Sequence, residues 1–153
     1  MDGTGERLPY VDEHSALIEA APDVVWEALL RVVEGSVSSP GATRWTGMLN
    51  CEDTASGGPR PLAEGSTLPG FHVGAAEPPR ELALLGAHRF SNYALTFRLD
   101  ALNGKRTQLR AETRAEFPGF KGAVYRALVI GTRIHVLVTR RMLDGVRGRS
   151  EQR

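Results

Sequence analysis

The sequence predicts an α+β fold in which a meander of antiparallel strands has its apolar face covered by one long C-terminal helix. Three observations carry this prediction. Residues 106–117 alternate strictly between polar and mainly apolar side chains, as expected of a strand with one wet and one buried face. Asn103-Gly104 precedes this segment and is a strong hairpin signal. From Phe120 to about Val146 the chain has no proline and its pattern becomes helical.

A strand followed by a short helix opens the chain. Residues 10–19 alternate, which places His14, Ala16 and Ile18 on one face of the strand. Proline at a first helical position loses no hydrogen bond, so the helix is expected to begin at Pro22, and Gly35 is expected to end it. The apolar stripe of this helix consists of Trp26, Leu29, Leu30 and Val33.

Connecting segments dominate the middle of the chain. Residues 36–42 read as a Ser/Pro/Gly connector, and 42–50 are consistent with a second strand that carries Trp45. Residues 52–66 are rich in glycine and proline, which excludes a regular helix or a central strand. A loop of this length is usually either a lid over a site or disordered.

The meander of strands begins at about Leu68. The chain turns at Pro78-Pro79 and resumes as an apolar strand from Arg80 to about Gly86. Around Ala87–Asn92 the alternation fails, which indicates either a bulge near a site or an exposed turn. The residues predicted to face the interior are Phe71, Val73, Ala75, Tyr93, Leu95, Phe97, Leu99, Leu109, Ala111, Thr113, Ala115 and Phe117.

The long C-terminal helix is expected to cover the apolar face of this sheet, since such a face must be buried. Four arginines recur every seven residues and form one strip, which is expected to face water: Arg126, Arg133, Arg140 and Arg147. The opposite side is expected to lie on the sheet, with Gly131 opening a notch in it. That side consists of Phe120, Val124, Leu128, Gly131, His135, Val138 and Met142.

Composition narrows the class of protein. A chain of 153 residues is expected to be one domain, and its 19 Lys plus Arg and 18 Asp plus Glu give a net charge of +1. That balance argues against a dedicated nucleic-acid binder. The single cysteine, Cys51, excludes an intrachain disulfide framework and a multi-cysteine zinc site. The histidines show no metal-binding spacing, and no phosphate-binding loop is found, so no cofactor is expected.

The charge is distributed unevenly. Residues 1–120 hold 11 basic and 16 acidic side chains, whereas residues 121–153 hold 8 basic and 2 acidic ones. The basic end is interpreted as the solvated side of a helix with a frayed tail, or as a surface for an anionic partner. The 17 Arg against 2 Lys suggest a GC-rich bacterial genome. With no signal peptide or membrane-spanning stretch visible, a cytoplasmic location is expected.

The order strand, helix, meander, long helix is that of the helix-grip fold. The chain resembles the START-like, polyketide-cyclase and birch-pollen-allergen superfamily (SRPBCC). The resemblance rests on the segment Ile18–Trp26 (IEAAPDVVW), on Glu77–Arg80 (EPPR) before an apolar strand, and on the position of the long helix. It implies a curved antiparallel sheet wrapped around the C-terminal helix, with a cavity between them for lipids, sterols, hormones or polyketides. The predicted division is an N-terminal arm at 1–9, a single domain at 10–147 and a basic tail at 148–153.

Polar residues predicted to face inward are the candidates for function, because burial of a polar group requires a partner or a purpose. His135 could orient a ligand or act as an acid or base, or it could be a core imidazole bonded to Thr113. Tyr93 could anchor a ligand, or it could be a core residue whose phenol hydroxyl reaches solvent. Arg89 could pair with a ligand acid, and Gly131 provides the notch.

These residues give one leading hypothesis and two alternatives. The first is binding of a small hydrophobic ligand between sheet and helix, with Tyr93, Thr113, His135, Arg89 and Gly131 lining the site. The second is an enzyme of the polyketide cyclase or dehydratase type, with His135 or Tyr93 as acid/base and no metal or nucleotide cofactor. The third is a protein-interaction domain, such as a homodimer formed through the arginine strip. No nucleic-acid partner is expected.

Overall fold

The computed structural model describes residues 8–37, 57–68, 70–88, 91–117, 119, 123 and 134–151. Within these ranges the chain forms six strands and two helices. In chain order they are β1 (Tyr10–Ile18), α1 (Pro22–Val37), β2 (Thr67–Leu68), β3 (Phe71–Glu77), β4 (Glu81–His88), β5 (Ser91–Asn103), β6 (Arg106–Glu116) and α2 (Ile134–Glu151). The predicted strand at 42–50 and the predicted helical residues 124–133 lie outside the described part of the chain.

The six strands form one open antiparallel sheet in the order β1-β6-β5-β4-β3-β2. Strands β2 to β6 follow one another as a meander, and β1 is placed beside β6 at the far edge. Both helices lie on one face of the sheet, where α2 packs against β1, β6 and α1. This α+β arrangement confirms the predicted helix-grip fold.

Alternating side chains give the sheet two unlike faces. We call the face that packs against the helices the inner face; its buried core residues include Ile18, Leu82, Leu84, Leu95, Phe97, Leu99, Leu109 and Ala111. The other face, the outer face, carries ion pairs across neighbouring strands. Arg98 pairs with Glu81 at 3.1 Å, and Arg110 pairs with Asp100 at 2.6 Å. The alternation predicted for residues 106–117 is confirmed. The buried residues of β6 are Thr107, Leu109, Ala111 and Ala115.

Helix α1 buries the predicted stripe and extends further than expected. Trp26, Leu29, Leu30 and Val33 are all buried. Gly35 was expected to end the helix, but the helix continues to Val37. Gly35 carries no positive φ, so it does not form the left-handed cap that was expected of it. Helix ends commonly differ by one or two residues from a capping signal.

Helix α2 buries only part of the side that was predicted to be buried. Met142 is buried as predicted, but Val138, expected on the same side, is 46% exposed. The other buried residues are Thr139, Leu143, Val146 and Ser150. The reason is that α2 has two neighbours, the sheet and α1, and its buried side is centred between them rather than opposite the arginine strip. Arg140 and Arg147 are exposed, as predicted. The helix continues through Gly148 and Arg149 to Glu151.

Two local features of the meander differ from expectation. A register shift between Val73 and Ala75 moves the inward position of β3 from Ala75 to Ala76, which pairs with Leu82 and packs on the core. The failed alternation at 87–92 is a chain reversal, because His88 pairs with Ser91 at the end of the β4–β5 hairpin. The hairpin at Asn103-Gly104 is confirmed; its Asn103 Oδ1 accepts a hydrogen bond from the Lys105 amide at 2.7 Å.

The described half of the predicted loop is ordered against α1. The Arg60 guanidinium pairs with Glu34 of α1 at 2.5 Å and donates to the carbonyl of Gly57 at 2.8 Å. Leu62 and Ser66 are buried. Residues 57–66 are therefore a packed connection into β2, not a disordered one.

The junction between β1 and α1 is fixed by hydrogen bonds to distant elements. The buried Thr107 hydroxyl of β6 donates to the Ala20 carbonyl at 2.9 Å. The Glu19 amide donates to the Glu151 carboxylate, at the end of α2, at 2.9 Å. These bonds hold the two helix ends against the same corner of the sheet. Among the described helices, none combines the length and hydropathy needed to cross a bilayer.

Candidate functional site

The inner face is mostly apolar and buried, and its polar side chains lie toward one end. Cross-strand partners in an antiparallel sheet point to the same face, so the strand register divides the inner face into rows. The row of Ile18 and Thr107 and the row of Leu109 and Leu99 are almost fully buried. The rows at the opposite end carry polar groups: Asp12 and His14 from β1, Thr113 from β6 and Tyr93 from β5. This polar end of the inner face is the candidate site.

The most distinctive group at the polar end is a histidine and an aspartate of the same strand whose side chains are hydrogen-bonded to each other. His14 Nε2 lies 3.1 Å from Asp12 Oδ2. The two side chains are two residues apart and therefore share a face of β1, and they keep 19% and 22% of their side-chain exposure. Asp12 pairs in register with Thr113 and His14 with Ala111. The pair thus stands beside a hydroxyl on an otherwise apolar surface.

Tyr93 is fixed by contacts to β4 and to the turn before β3. Its ring lies next to Gly86, its partner in register on β4. The phenol donates a hydrogen bond to the Gly70 carbonyl, and the ring makes an edge-on contact with Phe71 at a centroid distance of 5.2 Å. The phenolic proton is therefore engaged by the backbone.

The structure brings together two of the predicted site residues. Tyr93 and Thr113 are half-buried on adjacent strands of the inner face, where they are diagonal neighbours. His135 is the second residue of α2, four residues before the buried Thr139, and its side chain lies outside the described part of the structure. Arg89 and Gly131 also lie outside the described residues.

Sequence reasoning missed the Asp12–His14 pair, although the signal was present. Ile18 is an apolar residue at the end of a period-two segment, which fixes the buried parity of β1. Residues two apart share that parity, so His14 and Asp12 belong to the inner face together with Ile18. A carboxylate two residues before a histidine on a buried face is the pattern to look for.

Arginines are confined to the opposite side of the sheet. The arginines within the described strands all lie on the outer face and are ion-paired: Arg98, Arg106, Arg110 and Arg114. Burial acts to raise the pKa of Glu112, but the hydrogen bond from Arg114 and the charge of Arg98 outweigh it and lower that pKa. The hydrogen bond from Arg106 likewise lowers the pKa of Glu19. Strong charge pairing is therefore a property of the outer face.

Comparison with known proteins identifies the fold. The chain is similar to the ZhuI aromatase/cyclase from a Streptomyces species, with 18% identity and a TM-score of 0.57 over 96% of both chains. It is similar to a conserved protein from Geobacillus kaustophilus, with 17% identity and a TM-score of 0.54 over 92% of this chain and 94% of that one. No protein-family model and no curated protein matches the sequence.

A third structure shows that the same fold occurs as part of a longer chain. The di-domain ARO/CYC StfQ from the steffimycin biosynthetic pathway matches with 10% identity and a TM-score of 0.59, over 92% of this chain and 50% of StfQ. At these identities the similarity establishes the fold. The predicted resemblance to the START-like and polyketide-cyclase superfamily is confirmed at that level: the chain has a helix-grip fold.

Proposed function

We propose that this protein binds a small, mainly apolar molecule between the inner face of the sheet and α2. The observation that carries the proposal is that four partly exposed polar side chains, those of Asp12, His14, Tyr93 and Thr113, share the inner face with buried apolar ones. Tyr93 and Thr113 supply polar contacts there. His135, Arg89 and Gly131 are proposed to complete the site from the sequence.

Two physical arguments support this function. Polar side chains on a core-facing surface lose hydration, which is compensated only when they bond to a partner or line a wet or ligand-filled space. Small-molecule binding sites combine a small number of polar groups of this kind with a mainly apolar lining. Leu84 and Leu95, in the same row as Thr113, are buried apolar neighbours of these polar groups.

The fold comparison supports the same proposal. The structures it resembles include proteins named as aromatase/cyclases, one of them from the steffimycin biosynthetic pathway. Function does not follow from fold alone, so the proposal depends on the site described above.

Ligand-induced stabilisation tests the proposal. We expect native mass spectrometry of protein purified from its own host to show a bound small molecule. We also expect at least one lipid or polyketide-like aromatic to raise the melting temperature. At a concentration of one hundred times Kd the stabilisation is about 2.7 kcal/mol, which corresponds to roughly 5–10 °C for a chain of this size.

A matched pair of variants locates the binding site. Thr113→Trp places a large ring in the polar end of the inner face and is expected to abolish the ligand-induced shift. Gln108→Trp adds the same ring to the outer face of the same strand and is expected to leave the shift intact. A protein that is consistently empty and shows no shift with any ligand refutes the proposal.

A second candidate function is catalysis of the cyclase or dehydratase type. It is favoured by the presence of groups able to exchange protons, the His14 imidazole and the Tyr93 phenol, on the same inner face. It requires turnover of a polyketide-like substrate that His135→Ala or Tyr93→Phe lowers by more than about tenfold, within the range typical of acid/base groups. Variants that fold and remain as active as the unmodified protein dismiss these two residues from the chemistry.

A further inference from the structure

The Asp12–His14 pair points to the chemical class of the ligand. We infer that His14, oriented by Asp12, accepts a hydrogen bond from a neutral hydroxyl of the bound molecule, such as a phenol or an enol. This inference rests on the proposed binding function. It adds to that function a recognition group on β1 and a preference for one kind of ligand.

The hydrogen bond to Asp12 determines which nitrogen of His14 carries the proton. An ionised carboxylate only accepts hydrogen bonds, so the 3.1 Å contact requires a proton on Nε2. In the neutral ring Nδ1 is then an acceptor, because the two nitrogens of a neutral imidazole have opposite roles. No hydrogen bond from the described residues reaches Nδ1. The acceptor is therefore available to a ligand on the inner face.

The charge of the surroundings selects between ligands that share an apolar body. Asp12 is the charged group that the described strands place on the inner face, and the arginines of those strands lie on the outer face. The buried residues of both helices are uncharged. A ligand carboxylate placed against His14 meets the like charge of Asp12 in a medium of low dielectric constant, which is unfavourable. A ligand acid that pairs with Arg89 would therefore have to lie away from this pair. A neutral hydroxyl meets an acceptor and no such repulsion.

The neighbouring polar groups suit a ligand with more than one hydroxyl. Thr113 stands directly across from Asp12, and facing side chains in such a pair have Cβ atoms about 5 Å apart. Its hydroxyl both donates and accepts. Tyr93, whose proton bonds to the Gly70 carbonyl, lies on the next strand. A polyhydroxylated aromatic molecule therefore finds polar groups on three adjoining strands.

A set of three naphthalenes tests the preference. The probes are 2-naphthol, which donates a hydrogen bond, 2-methoxynaphthalene, which cannot, and 2-naphthoate, which is anionic. Dissociation constants are measured by isothermal titration calorimetry at pH 7.5. We expect 2-naphthol to bind about fivefold more tightly than 2-methoxynaphthalene, the effect of one net hydrogen bond. We expect 2-naphthoate to bind no more weakly to His14→Leu than to the unmodified protein, because a carboxylate gains no hydrogen bond from the Nδ1 acceptor.

Two variants assign the preference to His14. His14→Leu is expected to reduce the ratio between 2-naphthol and 2-methoxynaphthalene to about one. His72→Leu removes a histidine from the outer face of β3, where His72 pairs with Leu85, and is expected to retain the ratio. Equal binding of these two probes to the unmodified protein, or an unchanged ratio in a folded His14→Leu protein, overturns the inference and leaves the proposed function standing. Failure of all three probes to bind overturns the proposed function and the inference with it.

A measurement on the unmodified protein does not depend on how the variant folds. Long-range nitrogen–proton NMR correlations of a ¹⁵N-labelled sample distinguish the two neutral tautomers and the imidazolium. We expect His14 to carry its proton on Nε2 at pH 7.5, and Asp12→Asn to reduce that preference. A neutral ring protonated on Nδ1, or an imidazolium at that pH, refutes the acceptor role whether or not ligands bind.

Discussion

Gly86 occupies a position on β4 where a single added methyl group is expected to destabilise the protein strongly. A Cβ atom at this position would stand 2.2 Å from the Gly70 carbonyl oxygen and 2.4 Å and 2.6 Å from two ring carbons of Tyr93. Non-bonded carbon atoms prefer separations of about 3.5–4.0 Å. The Gly86→Ala substitution must therefore move the Tyr93 ring, and it must also move the backbone at Gly70.

The magnitude follows from the contacts that this movement disrupts. Overpacking costs about 1–3 kcal/mol. The hydrogen bond from Tyr93 to Gly70 and the aromatic contact with Phe71 are each worth about 1 kcal/mol. The lower conformational entropy of alanine in the unfolded chain returns about 0.5–1 kcal/mol. The free energy of unfolding is expected to fall by about 2–4 kcal/mol, which lowers the melting temperature by roughly 5–15 °C.

Urea denaturation followed by far-ultraviolet circular dichroism measures this change, with an unchanged slope showing that the two-state comparison holds. Gly35→Ala is the matched control, because its added methyl meets nothing within 4 Å and lies in a helix. That variant is expected to gain about 0.5–1 kcal/mol. The double variant Gly86→Ala/Tyr93→Ala should lose less than the sum of the single losses, since both remove the same contacts. A Gly86→Ala protein within about 0.5 kcal/mol of the unmodified one would refute the reasoning.

Three further predictions concern the helix face, the β1–α1 junction and the outer face, and the same denaturation assay checks them. Val146→Ala is expected to lower the free energy of unfolding by about 2–3 kcal/mol because Val146 is fully buried, whereas Val138→Ala should change it by no more than about 0.5 kcal/mol. A larger loss for Val138→Ala would instead support the helix side that was predicted from the sequence. Thr107→Val leaves the Ala20 carbonyl without its donor and is expected to cost about 2 kcal/mol, while Thr107→Ser, which keeps the hydroxyl, should cost about half of that. The pKa of Glu112 is lower in the folded protein than its usual 4.5, so its charge stabilises the protein at neutral pH and that contribution is lost as the pH falls through the folded-state pKa. The stability difference between the unmodified protein and Glu112→Gln should therefore shrink below pH 4.5; a difference that does not change with pH contradicts this assignment.

The strands could be predicted from the sequence because their periodicity reports burial directly. In β6 the polar residues from Arg106 to Glu116 alternate with side chains that are mostly buried, as the structure shows. A sheet that packs helices on one face and meets solvent on the other imposes this alternation on the sequence. The bulge in β3 could not be predicted in the same way, because Val73, Gly74 and Ala75 are all small or apolar and fit either register.

The face of α2 was predicted less well, for a geometric reason. Residues seven apart drift by about 20° around a helix, so the strip from Arg126 to Arg147 does not run parallel to the helix axis. The helix side opposite such a strip changes gradually along the helix, so a single predicted side is only an average over several turns. The buried side is determined by what the helix touches, and α2 touches both the sheet and α1. Val138 therefore lies on the predicted side and is still exposed.

The candidate site was predicted in part. The inward direction of Tyr93 and Thr113 follows from alternation, but the bond from Tyr93 to the Gly70 carbonyl joins residues 23 apart in the chain and has no local signature. The Asp12–His14 pair is local and could have been found from the parity of Ile18. What sequence reasoning lacked was the register of β1 against β6, which places this pair beside Thr113.

The pairing of β1 with β6 has a consequence for the order in which the site is assembled. Strands β3 to β6 join through short turns, so their contacts close small loops, whereas β1 must find a partner about 90–100 residues further along the chain. Closing a longer loop costs more entropy and slows folding. We therefore expect β1 to dock last, onto a meander that has already formed. During synthesis Asp12 and His14 must wait until β6 has left the ribosome before they acquire their cross-strand neighbours, so the pair cannot be positioned beside Thr113 any earlier.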